Sequence, residues 1–213
     1  MKKSTLVALL IGCFSVGSAS AAPFSISMVA DNDFAIFSGT STGINNLLYQ
    51  NNVDWNNQIP ALSTLSFNLA AGDNVFYVLG MGGGGFEENI SGTVNGVNMT
   101  NPSVTVQMSS NIAPFLTNYN SGGSVANGTY NVLLSDVQSV FSGLTWGSPV
   151  INSTQTVIQA AGFGSGFIFS TGTAHLFAFQ AADVNVPEPS TLAILGLGLM
   201  GLGLQTRRKK SAV

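Results

Sequence analysis

The chain is 213 residues long, 45% hydrophobic and only 7% charged, with a formal net charge of −3 and a single cysteine. All six Lys and Arg residues lie at the ends, so the stretch between Ala22 and Pro189 sets nine carboxylates against no Lys or Arg. Nothing in that stretch can neutralise phosphates, which excludes nucleic acid as a partner.

The first element reads as a secretory signal. Lys2 and Lys3 form its positive start, residues 6–11 its apolar core, and Ala19-Ser20-Ala21 a small-residue cleavage site ahead of Ala22. A signal peptide over residues 1–21 implies entry through the Sec translocon and cutting by signal peptidase. A rival reading takes Leu10-Ile11-Gly12-Cys13 as a lipobox with Cys13 acylated, on a very short apolar core. If Cys13 leaves with the signal, the exported protein has no cysteine and is held together by packing, not by disulfides.

From Ala22 onward the dominant pattern has period two. Phe24, Ile26 and Met28 alternate with Ser25 and Ser27, Leu65, Phe67 and Leu69 with Ser66 and Asn68, and Val104, Val106 and Met108 with Thr105 and Gln107. Such alternation predicts strands with one buried and one wet face. Residues 75–79 are apolar throughout, which predicts a strand covered on both sides. Asn95-Gly96 between two apolar runs predicts a hairpin, because both turn positions tolerate positive φ. Asn127-Gly128 repeats that signal ahead of residues 130–134, and Ala71-Gly72-Asp73 reads as a link between strands. Further strands are expected at residues 156–160, 166–170 and 174–180. One helix is expected at residues 135–142, where Val137, Val140 and Phe141 fall at helical spacing behind Asp136. Many short strands parted by turn residues predict an all-β domain over residues 22–185, an antiparallel β-sandwich.

Within that domain, the run Asp31-Asn32-Asp33-Phe34 to Ser38-Gly39, then Trp55, then Leu69-Ala70-Ala71-Gly72-Asp73-Asn74-Val75, then the glycines before Phe86 resemble galactose-binding-like jelly rolls. The resemblance implies a jelly-roll-like sandwich and brings no ligand residues with it, since such folds host many functions.

The last element, residues 186–213, has three parts. Val186-Pro187-Glu188-Pro189 is extended, because each proline fixes its own φ and restricts its predecessor. Residues 192–204 form an apolar run, and Arg207, Arg208, Lys209 and Lys210 form a basic stop that stays on the cytoplasmic side. The run is shorter than the ~20 residues that span a bilayer comfortably, and Gly196, Gly198, Gly201 and Gly203 weaken it further as a permanent helix. It reads as a single hydrophobic helix serving as a transient anchor, with an ordinary tail anchor as the alternative. In order and in residues the three parts resemble the PEP-CTERM sorting signal of Gram-negative bacteria. That resemblance implies recognition and cleavage by an exosortase, transient inner-membrane anchoring, and delivery to the cell surface or extracellular matrix. It also implies a matrix exopolysaccharide as partner, because proteins with this signal are associated with exopolysaccharide-producing bacteria.

Other motifs have the form of a chemistry without its setting. Gly80-Met81-Gly82-Gly83-Gly84-Gly85 fits a dinucleotide loop, but Glu87 and Glu88 follow where a helix N-terminus should receive a pyrophosphate, so it reads as an inter-strand loop. Gly39-Thr40-Ser41-Thr42-Gly43 fits a nucleophile elbow, and Ser41, an Asp and His175 stand in a permissible order, but no helix follows. His175 is the only histidine, which rules out zinc and copper sites built on His or Cys clusters. It shares a strand face with Phe177 and Phe179 and is expected to be structural. Asp31 and Asp33, with Glu87 and Glu88, are candidate calcium ligands, and no other cofactor is expected. Trp55 and Trp146 are candidate ligand-binding residues that would stack on sugar rings if exposed, with at least one of them expected in the core. The expected function is non-enzymatic: an adhesive or structural protein of the surface or matrix, with exopolysaccharide binding as its specific activity. The alternatives are a coat or matrix protein with no defined ligand, and a secreted polysaccharide hydrolase, for which no carboxylate pair is recognisable.

Overall fold

The computed structural model describes residues 23–184 except 52, 54, 61–64 and 86, and the backbone alone of Trp55, Asn56 and Glu87. Both terminal signals lie outside this range. The described strands run in chain order as β1 (Phe24–Asp31), β2 (Asp33–Thr40), β3 (Gly43–Gln50), β4 (Leu65–Phe67), β5 (Val75–Met81) and β6 (Glu87–Val94), followed by β7 (Val97–Asn98), β8 (Val106–Ser109), β9 (Trp146–Gly147), β10 (Val150–Asn152), β11 (Gly166–Ser170) and β12 (Ala174–Gln180).

They form two antiparallel sheets stacked as a sandwich. The first has the order β10-β11-β6-β1-β4 with β7 beside β6, and the second has the order β3-β2-β5-β12-β8-β9. Alternation decides what each face carries. Phe24 and Phe167 of the first sheet point at Phe76, Phe177 and Phe179 of the second, and all five rings are fully buried. Phe76 and Phe179 stack at 4.8 Å with planes 4° apart, and Phe167 stacks on Phe177 at 5.5 Å. Losing one such ring would cost about 3–5 kcal/mol.

The second sheet has a second core on its outer face. Phe37, Tyr77, Leu79, Met81 and Leu176 meet Ile112, Leu116, Val125, Val137 and Phe141 from the long excursion between β8 and β9. β5 is therefore buried along its whole length, as its unbroken apolar sequence predicts. The Asn95-Gly96 hairpin forms with φ of 49° and 77°, joining β6 to β7.

Two local expectations need correction. Residues 156–160 form a helix, Thr156–Ala160, whose adjacent Val157 and Ile158 are both buried. This helix touches β1 and β6, and burial against a sheet outweighs the strand preference of Val and Ile. Residues 130–134 contain no strand. The side chain of Gln50 takes the part of a strand neighbour there, with Nε2 donating to the Tyr130 carbonyl and Oε1 accepting from Val132 N at 2.9 Å. The expected helix at 135–142 is observed as Leu134–Val140 running into a 3-10 turn at Phe141–Gly143, and short helices also occur elsewhere.

Candidate functional site

Three connections between the sheets meet at one end of the sandwich. They are Asn32 between β1 and β2, residues 82–85 on the way from β5 to β6, and residues 171–173 between β11 and β12. Register brings them together: Asp31 lies opposite Asn89, while Asp33 and Ala174 flank Met81 on either side. Gln58, buried at the end of the short helix Trp55–Gln58, pins the first connection. Its Oε1 accepts from Ala30 N at 2.9 Å and its Nε2 donates to the Asn32 carbonyl. The glycine run lets the second connection lie flat against its neighbours. A Cβ on Gly83 would sit 1.8 Å from Asn32 Nδ2, and one on Gly82 2.6 Å from Glu88 Cγ. The Thr171 hydroxyl ties this connection to the third, donating to Gly83 O at 2.8 Å and accepting from Gly85 N at 3.0 Å. Tyr119 seals the end from outside, its hydroxyl lying 2.7 Å from Gly82 O and 3.1 Å from Thr173 O.

The electrostatics of this end are set by burial without countercharge. Glu88 is 1% exposed and its pKa is pushed up to about 7, first by burial and then by the Asp31 charge. Polar groups of Gly83, Thr171 and Gly85 oppose that shift only in part, and Asn32 Nδ2 adds a long contact of 3.4 Å to Oε2. His175 is shifted downward by burial, with the Ser109 carbonyl opposing that shift. Its Nδ1 lies 2.8 Å from Ser109 O, and a carbonyl only accepts, so the neutral ring carries its hydrogen there. Nε2 then accepts from the Thr173 hydroxyl at 3.0 Å, in competition with the Ser170 carbonyl at 2.5 Å from the same hydroxyl.

Two clefts open nearby. One, of about 510 Å³, lies between the sheet edges, walled by Met108, Val150, Ile168 and Phe169 with His175 in its side. The other, of about 260 Å³, lies on the excursion that covers the second sheet. Thr117, Asn118, Ser124, Thr129 and Asn131 give it uncharged hydrogen-bonding walls, while Tyr130 and Leu133 supply its apolar surface. Its frame is fixed from behind: the Tyr130 hydroxyl donates to Thr117 O at 3.2 Å, and the Tyr130 ring meets Tyr119 edge-on at 5.6 Å.

Of the residues singled out in the sequence, Asp31, Asp33 and Glu88 lie toward the end where the three connections meet, while Ser41 lies beyond the far end of β2 and Trp146 joins the outer core. Asp31 ends β1 in the first sheet and Asp33 begins β2 in the second, where it is fully buried. Among the described residues no three His, Cys, Asp or Glu side chains come together as a metal cluster would require. Trp146 is half-buried and leans on Tyr77 at 6.1 Å and Phe141 at 5.8 Å, as part of the outer core. Trp55 sits in a helix against β1, and its side chain lies outside the described residues, as does that of Glu87. Trp146 is thus borne by a strand of the second sheet, and Trp55 by a helix that touches β1 of the first. Ser41 occupies the hairpin turn between β2 and β3, and residues 82–85 form the inter-strand loop expected of them. Gln58 and Tyr119 carry no sequence signal, because each acts through partners far away in the chain; Asn118 and Ser124 are ordinary loop residues by sequence.

Ala19, Ala21 and Ala22, where signal cleavage is expected, the residues Val186, Pro187, Glu188 and Pro189, and the basic cluster Arg207 to Lys210 lie outside the described range. Among the described residues no helix is long and apolar enough to cross a membrane. The PEP-CTERM protein-sorting motif matches residues 185–209 of the chain. It implies an exported protein, targeted to an exosortase and anchored transiently through its C-terminal segment. Comparison with curated proteins and with solved structures gives no match.

Proposed function

We propose that this chain is an adhesive, non-enzymatic protein of the cell surface or extracellular matrix whose partner is an exopolysaccharide. One observation carries the reading: a sorting motif at residues 185–209 follows a folded β-sandwich that holds no Lys or Arg. Such a body meets its surroundings through Asn, Ser, Thr and backbone groups, which suit the hydroxyl-rich surface of a polysaccharide better than a charged polymer. Its stability comes from two aromatic and aliphatic cores, so it can work outside the cell without disulfides.

The test is retention of the processed protein on immobilised polysaccharides, with release of reducing ends followed in the same samples. Retention without turnover is the expected result. Turnover would make the protein a matrix hydrolase. Failure to be retained on any polysaccharide would leave a coat protein without a defined ligand.

A further inference from the structure

We infer that the uncharged cleft of Thr117, Asn118, Ser124, Thr129 and Leu133 is the subsite that holds a neutral sugar unit of the polysaccharide partner. The inference rests on the binding function proposed above and assigns its place. The chemistry of the walls selects the ligand class. Hydroxyl and amide groups each offer donors and acceptors, as sugar hydroxyls do. The cleft is lined by no charged side chain, and the body between the two signals has no Lys or Arg to balance a uronate or sulfate. An anionic sugar would therefore lose hydration there without gaining a countercharge.

Two features of the walls point to an occupant. The Ser124 Oγ has no hydrogen-bond partner and is turned away from solvent, so rotation about χ1 is what would present it to a sugar hydroxyl. Leu133 is 48% exposed beside the polar groups, so one side of the cleft matches the C–H face of a pyranose and the others match its hydroxyls. At about 260 Å³ the cleft falls below the ~300 Å³ at which sites for drug-sized ligands begin, which fits one ring and not a run of them.

Rigidity and position agree with this use. Gln50 grips the backbone at Tyr130 and Val132, and Tyr130 grips it at Thr117, so the walls are set before the ligand comes. Tyr119 joins the cleft to Gly82 and Thr173 at the end where the sheet connections meet. The chain continues toward residue 185 from the opposite end, where Val184 is bound by Asn95.

Calorimetric titration of the processed protein decides the matter. The probes are neutral gluco-, galacto- and manno-oligosaccharides, with alginate oligomers as the anionic arm. Two exposed positions are varied: Asn118→Gly, which keeps the positive φ of 60° and removes the amide, and Leu133→Ser. Expected are binding to a neutral series, none to alginate, and a rise in Kd of roughly three- to tenfold in each variant at unchanged melting temperature. Neutral binding that both variants retain in full overturns the subsite and leaves the binding function standing. Preference for alginate overturns the neutral class. Absence of binding to every probe overturns the binding function and the subsite together.

Discussion

The side-chain amide of Asn95 donates to the carbonyl of Val184 at 3.2 Å, and its Oδ1 accepts from the backbone N–H of Ser25 at 2.8 Å. One turn residue thus joins the place where the folded body begins to the place where it ends, one residue before the sorting motif. Removing the side chain should loosen both ends. Asn95→Gly, which tolerates the left-handed φ of 49°, is expected to cost about 1–3 kcal/mol for the lost hydrogen bonds. Asn95→Ala should cost about 1 kcal/mol more, because a Cβ opposes that conformation. Urea unfolding of the processed protein measures both, and equal stability of all three proteins would contradict the clasp.

A second clasp centres on Asp73, in the turn before β5. Its Oδ2 accepts from Ser38 Oγ at 2.5 Å and from Asn46 Nδ2 at 3.2 Å, and its Oδ1 accepts from Asn45 Nδ2 at 2.6 Å. The carboxylate thereby ties the turn between β4 and β5 to two adjacent strands. Asp73→Ala is expected to lower stability by about 1–3 kcal/mol, since Ser38 is fully buried and loses its acceptor. The urea midpoint should fall with little change in slope, marking a loss of stability without a change in the surface exposed on unfolding.

Glu88 and His175 should shape stability in opposite directions between pH 5 and pH 8. The Glu88 pKa rises from 4.5 to about 7 on folding, so the folded state holds the proton more tightly. Its contribution is full below the unfolded value and is lost as pH rises through about 7. The His175 pKa falls below 6.5 on folding, so its contribution is full above that value and is lost as pH falls below it. Glu88→Gln should therefore flatten the fall toward pH 8 while leaving the acid side intact. His175→Asn should remove the acid-side loss that remains once the solvated carboxylates have finished titrating. Melting temperatures across this range check both. An unchanged profile in Glu88→Gln would show that the carboxyl does not titrate as its burial requires.

Much of the sandwich is legible in the sequence, because alternation reports a strand that is wet on one side. β1, β5, β11 and β12 fall where Phe24-Ser25-Ile26, the run after Asn74, and the aromatic pairs around Phe167 and Phe177 place them. What alternation cannot report is a surface covered from outside. Thr156–Ala160 reads as a strand by composition and folds as a helix because Val157 and Ile158 are both needed over the first sheet. Apart from the helical spacing around Val137 and Phe141, the excursion of residues 110–145 has no period, yet Ile112, Val125 and Phe141 build the second core. The candidate subsite belongs to that excursion, and its walls are shaped by Gln50, 80 residues away from Tyr130 in the chain. Trp146, the residue that most resembles a sugar platform by type, leans instead on Tyr77 and Phe141.

The sorting motif at residues 185–209 implies export, and we propose that the exported chain is trimmed at both ends of the β-sandwich. Intact-mass spectrometry of the protein recovered from the cell surface or medium tests it most directly. The account predicts an N-terminus at Ala22 and a C-terminus near Pro187-Glu188-Pro189, with residues 192–213 gone. A product that begins at an acylated Cys13, or one that still ends at Val213, would contradict it.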